Sequence, residues 1–218
     1  MVIAIDGPAG VGKSTLSRQI AEKTGFLYLN SGNFYRAVTY LVLQEGIDPS
    51  DTKRVVSLAE NLEFNIKEGD LFVNGENVEE FLHNDSVDAS VAQLSSIVPL
   101  RRIVNKAIHK ISESLDIIVE GRDMTTVVFP DADLKIFLDA SVETRARRRF
   151  EQGVSRMTLE EIKKAIEKRD EIDRNKKEGS LKISSDALYL DTSDLTIEQV
   201  CEKVIGTLRI IKNSTQEK

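Results

Sequence analysis

The chain opens with four apolar residues in a row, Val2-Ile3-Ala4-Ile5, cut off by Asp6-Gly7-Pro8. So short an unbroken apolar run, ended by turn formers, predicts a strand buried on both faces. The period then changes. From about Lys13 to Lys23, Leu16, Ile20 and Ala21 gather on one side, which predicts a helix directly after a glycine-rich turn. Phe26–Leu29 reads as a second strand and Phe34–Gln44 as a helix after a Ser31-Gly32 start. Further buried strands are expected at Asp116–Glu120, Leu134–Leu138 and Ala187–Leu190. Helices are expected at Val142–Phe150, from Thr158 onward, and at Ile197–Ile210. Thr158 with Glu161 three residues later has the form of a capping box.

Between Glu63 and Val78 the texture differs. Phe64 and Ile66 alternate with polar residues, Glu68-Gly69-Asp70 signals a turn, and Asn74-Gly75 signals a tight hairpin. A small antiparallel sheet is expected there. Two helices follow it, at about Asp85–Ser96 and Pro99–Ser114, with Pro99 near the first helical position.

Strands alternating with helices predict an α/β fold: a mainly parallel sheet covered by helices on both faces. The expected division assigns residues 1–30, 115–150 and 178–212 to a core. Residues 31–114 form a second region carrying the inserted small sheet at about 62–80. Residues 151–177 form a lid with its following helix, broken at Gly153-Val154-Ser155, and 213–218 form a frayed tail.

Composition narrows the classes. A length of 218 residues suits one sizeable domain with an insertion. A net charge of -6 argues against a protein that coats nucleic acid. The single cysteine, Cys201, cannot form an intramolecular disulfide and reads as packing. No apolar run is long enough to span a bilayer and no secretory leader is visible, so a cytoplasmic location is expected. His83 and His109 stand isolated and receive no role.

The strongest chemical signal is Gly7-Pro8-Ala9-Gly10-Val11-Gly12-Lys13-Ser14, which fits the pattern G-x-x-x-x-G-K-[ST]. Glycines let the backbone turn several N–H groups inward around a polyphosphate, and the following helix points its positive end there. Lys13 reaches the β and γ phosphates, the Ser14 hydroxyl is a ligand for Mg2+, and Thr15 continues the site. Flanking by an apolar strand and a helix is what this loop requires. A nucleotide triphosphate site follows.

The loop is shared by kinases, GTPase switches and motor ATPases. Asn105-Lys106-Ala107-Ile108 and Asn175-Lys176-Lys177-Glu178 lack the aspartate of a guanine-reading Asn-Lys-x-Asp segment. From Arg145 to Lys177 there are twelve Lys or Arg against seven Asp or Glu, a basic stretch in an acidic chain. Arg145 and Arg149 are four apart, on one helix face. Arg169 and Arg174 flank Asp170 and Asp173. Such cations suit bringing ATP to an anionic small acceptor. A nucleotide switch without transfer activity has no need of them, but remains the alternative from another class.

Three further segments carry a resemblance. Glu120-Gly121-Arg122-Asp123-Met124-Thr125-Thr126-Val127-Val128-Phe129-Pro130 resembles the D-G-R-D-M-G-T-V-V-F-P stretch of the bacterial cytidylate kinases. Ser31-Gly32-Asn33-Phe34-Tyr35-Arg36 is similar to their S/T-G-A-x-Y-R, and Arg169-Asp170-Glu171-Ile172-Asp173-Arg174 to their R-D-x-x-D-R. The likeness runs from Ile3 to about Leu208, and the inserted small sheet is also a family feature.

The resemblance implies ATP as donor with Mg2+, CMP and dCMP as acceptors, UMP as a weaker one, and a monomer. It implies that Ser31 and Arg36 hold the acceptor nucleotide and that Arg122 and Arg169 hold its phosphate. Asp123 and Arg101 then address the base, Asp173 lies near the sugar hydroxyls, and Lys176 stands where an arginine usually helps read the base. Lys13, Arg145 and Arg149 stabilise the transferring group, and Asp6 and Glu120 anchor metal-bound waters. The nearest alternative is another small-molecule kinase, for UMP or of the shikimate type. The phosphate-handling residues match, and the base-reading set departs: Ala92 replaces a serine and Lys176 an arginine. Asn30, Asn33, Glu120 and Thr125 replace Asp, Ala, Asp and Gly.

Overall fold

The structure is a computed structural model that describes residues 1–153 and 157–216. It divides into two compact units, one of Met1–Tyr28 with Ile117–Lys218 and one of Leu29–Asp116.

The large sheet comprises β1 (Val2–Asp6), β2 (Leu27–Asn30), β6 (Ile117–Gly121), β7 (Leu134–Asp139) and β8 (Leu188–Asp191), in the order β2-β6-β1-β7-β8. β1 sits in the centre and pairs in parallel with β6 and β7, and β7 with β8. Ile3, Ala4 and Ile5 are fully buried, as a continuous apolar central strand requires. On this sheet pack α1 (Lys13–Thr24) and α8 (Ile197–Gln216), with Leu16, Ile20, Val200, Cys201 and Val204 in one apolar core. Cys201 is a free, buried packing residue. The last helix runs to Gln216, past the Ile210 expected from its apolar period, so the tail expected at 213–218 is helical as far as it is described.

The first unit also holds α6 (Val142–Glu151) and α7 (Leu159–Asn175). The two helices share a small apolar core of Ala146, Ile162 and Ile166. The capping box at Thr158 and Glu161 is present in both directions. Of the break expected at Gly153-Val154-Ser155, Val154 and Ser155 lie outside the described residues.

The second unit contains α2 (Ser31–Gln44), α3 (Thr52–Ala59), α4 (Asp85–Leu94) and α5 (Val98–Ser112). It also contains the antiparallel sheet β3 (Phe64–Lys67), β4 (Asp70–Val73) and β5 (Glu76–Asn77). Both hairpin turns use paired left-handed residues, Glu68-Gly69 and Asn74-Gly75, as their sequence predicted. α3 was not anticipated. Its core face is only Val55 and Ala59, too sparse to show a period, although Asp51 caps it by accepting from the Arg54 amide.

Candidate active site

The phosphate loop leaves the end of β1 where the sheet's strand order reverses, the usual ligand position in open parallel sheets. Gly7 is a steric necessity: a Cβ there would lie 2.3 Å from the Leu138 carbonyl oxygen on β7. Gly10 and Gly12 adopt left-handed backbone, and α1 starts directly at Lys13. Gly10, Val11, Gly12, Lys13, Ser14 and Thr15 line a cavity of about 640 Å³. Its far wall is built from α6 and the loop after β8, with Arg148, Thr192, Thr196 and Ile197.

Lys13 is buried, and its ammonium donates to the carbonyls of Gly7 and Pro8, both at 2.9 Å. Burial, with the nearby Arg122 cation, lowers its pKa to about 7 against the opposing pull of Glu120, Asp6 and Asp173. An anion placed against it would relieve that cost.

Arg145 is held inside the protein. It is 2% exposed, and its guanidinium forms a bidentate pair with Asp170 at 2.7 and 3.1 Å. It also donates to the carbonyls of Ala140 and Ala9. It therefore buttresses the phosphate loop from behind. Arg149, expected on the same helix face, is exposed and absent from the cavity wall. The arginine that reaches the wall is Arg148, held by Thr192 through its hydroxyl and carbonyl.

A second cluster surrounds Asp173. Arg122 Nε lies 2.8 Å and Arg169 Nε 3.3 Å from its Oδ2, and Lys176 Nζ lies 2.9 Å from its Oδ1. Burial alone would raise its pKa, but Arg122, Arg169 and Lys176 together hold the carboxyl well below the usual range. Asp173 is 0% exposed. It therefore serves as the shared counter-ion that gathers three cations.

Asp6 also departs from expectation. It is fully buried, and its carboxylate accepts from the Met124 amide, the Thr125 amide and the Thr125 hydroxyl. Desolvation raises its pKa to about 6 in spite of these donors. It anchors protein rather than metal-bound water. Glu120, which pairs with Ile5 in the β1–β6 ladder, accepts from the Tyr28 hydroxyl. Burial and the Glu120 charge push that phenol up, while a hydrogen bond with Ser14 pulls it down. Asp123 is buried at the entrance to a π-helical turn, Met124–Val128.

The second unit holds the remaining predicted residues. Ser31 is buried at the start of α2, but the cap is Asn30, whose side chain accepts from the Gly32 amide. Arg36 pairs with Asp88 at 2.6 Å and donates to the Leu82 carbonyl. Arg101 is buried, donates to the Ser95 carbonyl and lies 5.7 Å over the Tyr35 ring.

The family model for cytidylate kinase matches residues 3–210 of this sequence. The chain belongs to the cytidylate kinase family. Curated cytidylate kinases support the membership over whole lengths. That of Borrelia turicatae is 40% identical over 217 residues, covering 97% of this chain and 98% of its own. That of Caldanaerobacter subterraneus subsp. tengcongensis is 41% identical over 218 residues, covering 99% and 96%. Among solved structures, a gluconokinase from Sinorhizobium meliloti shares the fold, with a TM-score of 0.53 at 14% identity, covering 100% of this chain and 97% of that one. Within a cytidylate kinase, a phosphate loop flanked by a clamped arginine set is the arrangement that phosphoryl transfer between two anions needs. Among the described residues, no helix is long and apolar enough to cross a membrane.

Proposed function

We propose that this enzyme transfers the γ-phosphate of ATP to the phosphate of CMP, giving ADP and CDP, and that dCMP serves as a second acceptor. An acceptor phosphate oxygen attacks the γ-phosphorus in line, forming an O–P bond as the bond to the β-phosphate bridging oxygen breaks. The nucleophile is already anionic, so no general base is needed. Catalysis is positioning and charge neutralisation.

In this reading Gly7 to Thr15 cradle the ATP phosphates and Lys13 follows the migrating charge. Arg148 borders the donor. Arg122, Asp123, Arg169 and Lys176 serve the acceptor, and the family likeness assigns Ser31, Arg36 and Arg101 to the acceptor nucleotide as well. Closure of residues 151–177 excludes water from the reacting phosphates. Mg2+ fits the donor set, because the Ser14 hydroxyl and the Glu120 carboxylate are hard oxygen groups beside the loop. Ser14 and Glu120 would hold the ion, which would supply neutralisation of the donor's phosphate charge. A cytoplasmic monomer accords with the family likeness.

The observation that carries the reading is the cation set clamped on Asp173 in the unit that holds the phosphate loop. The test is ADP release with CMP, dCMP, UMP, AMP and shikimate. CMP should be the best acceptor. An absence of acceptor-dependent turnover with every nucleoside monophosphate would sink it.

A further inference from the structure

The two residues Arg122 and Asp123 are pinned at both ends by one residue. On the near side, Gly121 is the ladder partner of Asp6, the last pair between β1 and β6. On the far side, the chain returns to the same Asp6, whose carboxylate takes the Met124 amide at 2.9 Å and the Thr125 amide at 2.7 Å. A third donor, the Thr125 hydroxyl, closes on Oδ2 at 2.7 Å. Asp6 is 0% and Thr125 1% exposed, so no water substitutes for a lost bond without rearrangement. A hydroxyl bonded to a buried carboxylate is among the stronger hydrogen bonds.

The next residue after Asp6 is Gly7, where the phosphate loop begins. One carboxylate thus fixes both the start of the donor loop and the turn that presents Arg122. The guanidinium of Arg122 is aimed separately, by Asp173 and by the Gly121 carbonyl at 3.3 Å. The clasp at Asp6 sets where that arginine's backbone begins, and the counter-ion sets where it points.

We infer that Thr125 is a positioning residue for the acceptor site, acting through the Asp6 carboxylate to hold the Arg122–Asp123 turn against the end of β1. The inference rests on the reading of Arg122 as an acceptor-phosphate group. Its signature is asymmetric. The donor loop has its own scaffold of glycines, the Arg145 buttress and α1, whereas the turn after β6 has the clasp. Loss of the hydroxyl therefore weakens CMP more than ATP.

The experiment compares Thr125→Val, which keeps the shape, with Thr125→Ser, which keeps the hydroxyl. KM for CMP and for ATP is measured with each, and CMP binding by calorimetry. The Val variant should raise KM and Kd for CMP roughly fivefold, the scale of one net hydrogen bond, with KM for ATP changed less than about twofold. The Ser variant should stay within about twofold of the parent for both substrates. Equal rises for ATP and CMP, equal damage in both variants, or an unchanged CMP constant in the Val variant each overturn the inference. If the Val variant does not fold, Thr125→Ala against Thr125→Ser reads the same split. A parent enzyme that binds ATP yet neither binds nor phosphorylates CMP defeats the proposed function itself. A parent that uses CMP beside an unaltered Val variant defeats this inference alone.

Discussion

The phosphate loop and the cluster around Asp173 handle charge in opposite ways. The loop is made of backbone: left-handed glycines, a helix start and one buried cation, Lys13, whose own charge is made costly by burial. The cluster is made of side chains: one fully buried carboxylate with three cations on it. A backbone site needs no counter-ion, because its partial charges are fixed by the fold. A side-chain site built of like charges needs one, or its members repel each other. The first design is suited to a guest that is always a polyphosphate. The second fixes the directions of three cations through one shared carboxylate.

That contrast is broken most forcefully at Lys13. Lys13→Ala should reduce turnover by about three orders of magnitude, the scale of removing a group aimed at developing charge. The melting temperature should stay near the parent value or rise, since a buried cation is removed. A large drop in melting temperature would make Lys13 a structural residue instead.

Asp173→Asn probes the other design. It leaves Arg122, Arg169 and Lys176 facing one another without their counter-ion and should cost about 3 kcal/mol of unfolding free energy near neutral pH. The carboxyl's pKa is depressed in the folded state. Its stabilisation is therefore present above the unfolded-state value near 3.9 and lost as pH falls toward the folded value. Urea melts between pH 7 and 3 should show the gap between parent and variant closing in acid. A gap that stays flat would mean that the three cations do not stabilise that carboxylate.

The smallest expected effect separates two neighbouring arginines. Arg148→Ala, which removes a wall of the cavity, should raise KM for ATP several-fold, and Arg149→Ala should leave it within about twofold. The reverse order would place Arg149, and not Arg148, beside the donor.

Legibility in the sequence followed the same divide. The loop is encoded by glycine positions and flanks within a few residues, so strand, turn and helix could be placed directly. The small sheet was equally plain, because Asn74-Gly75 and Glu68-Gly69 supply left-handed turn residues locally. Side-chain pairing was not visible. Asp6 meets Met124 and Thr125 across more than a hundred residues, and nothing near Asp6 in the chain announces that its oxygens are taken. The same holds for Arg145, whose partner Asp170 lies on another helix. The π-helical turn at Met124–Val128 was likewise missed, since one of the groups holding it lies at the end of β1.

Arg145 spans from the Ala9 carbonyl at the crest of the loop to a carboxylate on α7. A displacement of α7 would therefore strain the pair with Asp170 and, through the same guanidinium, the bond to the loop. The loop and that helix are thus tied together through a single guanidinium.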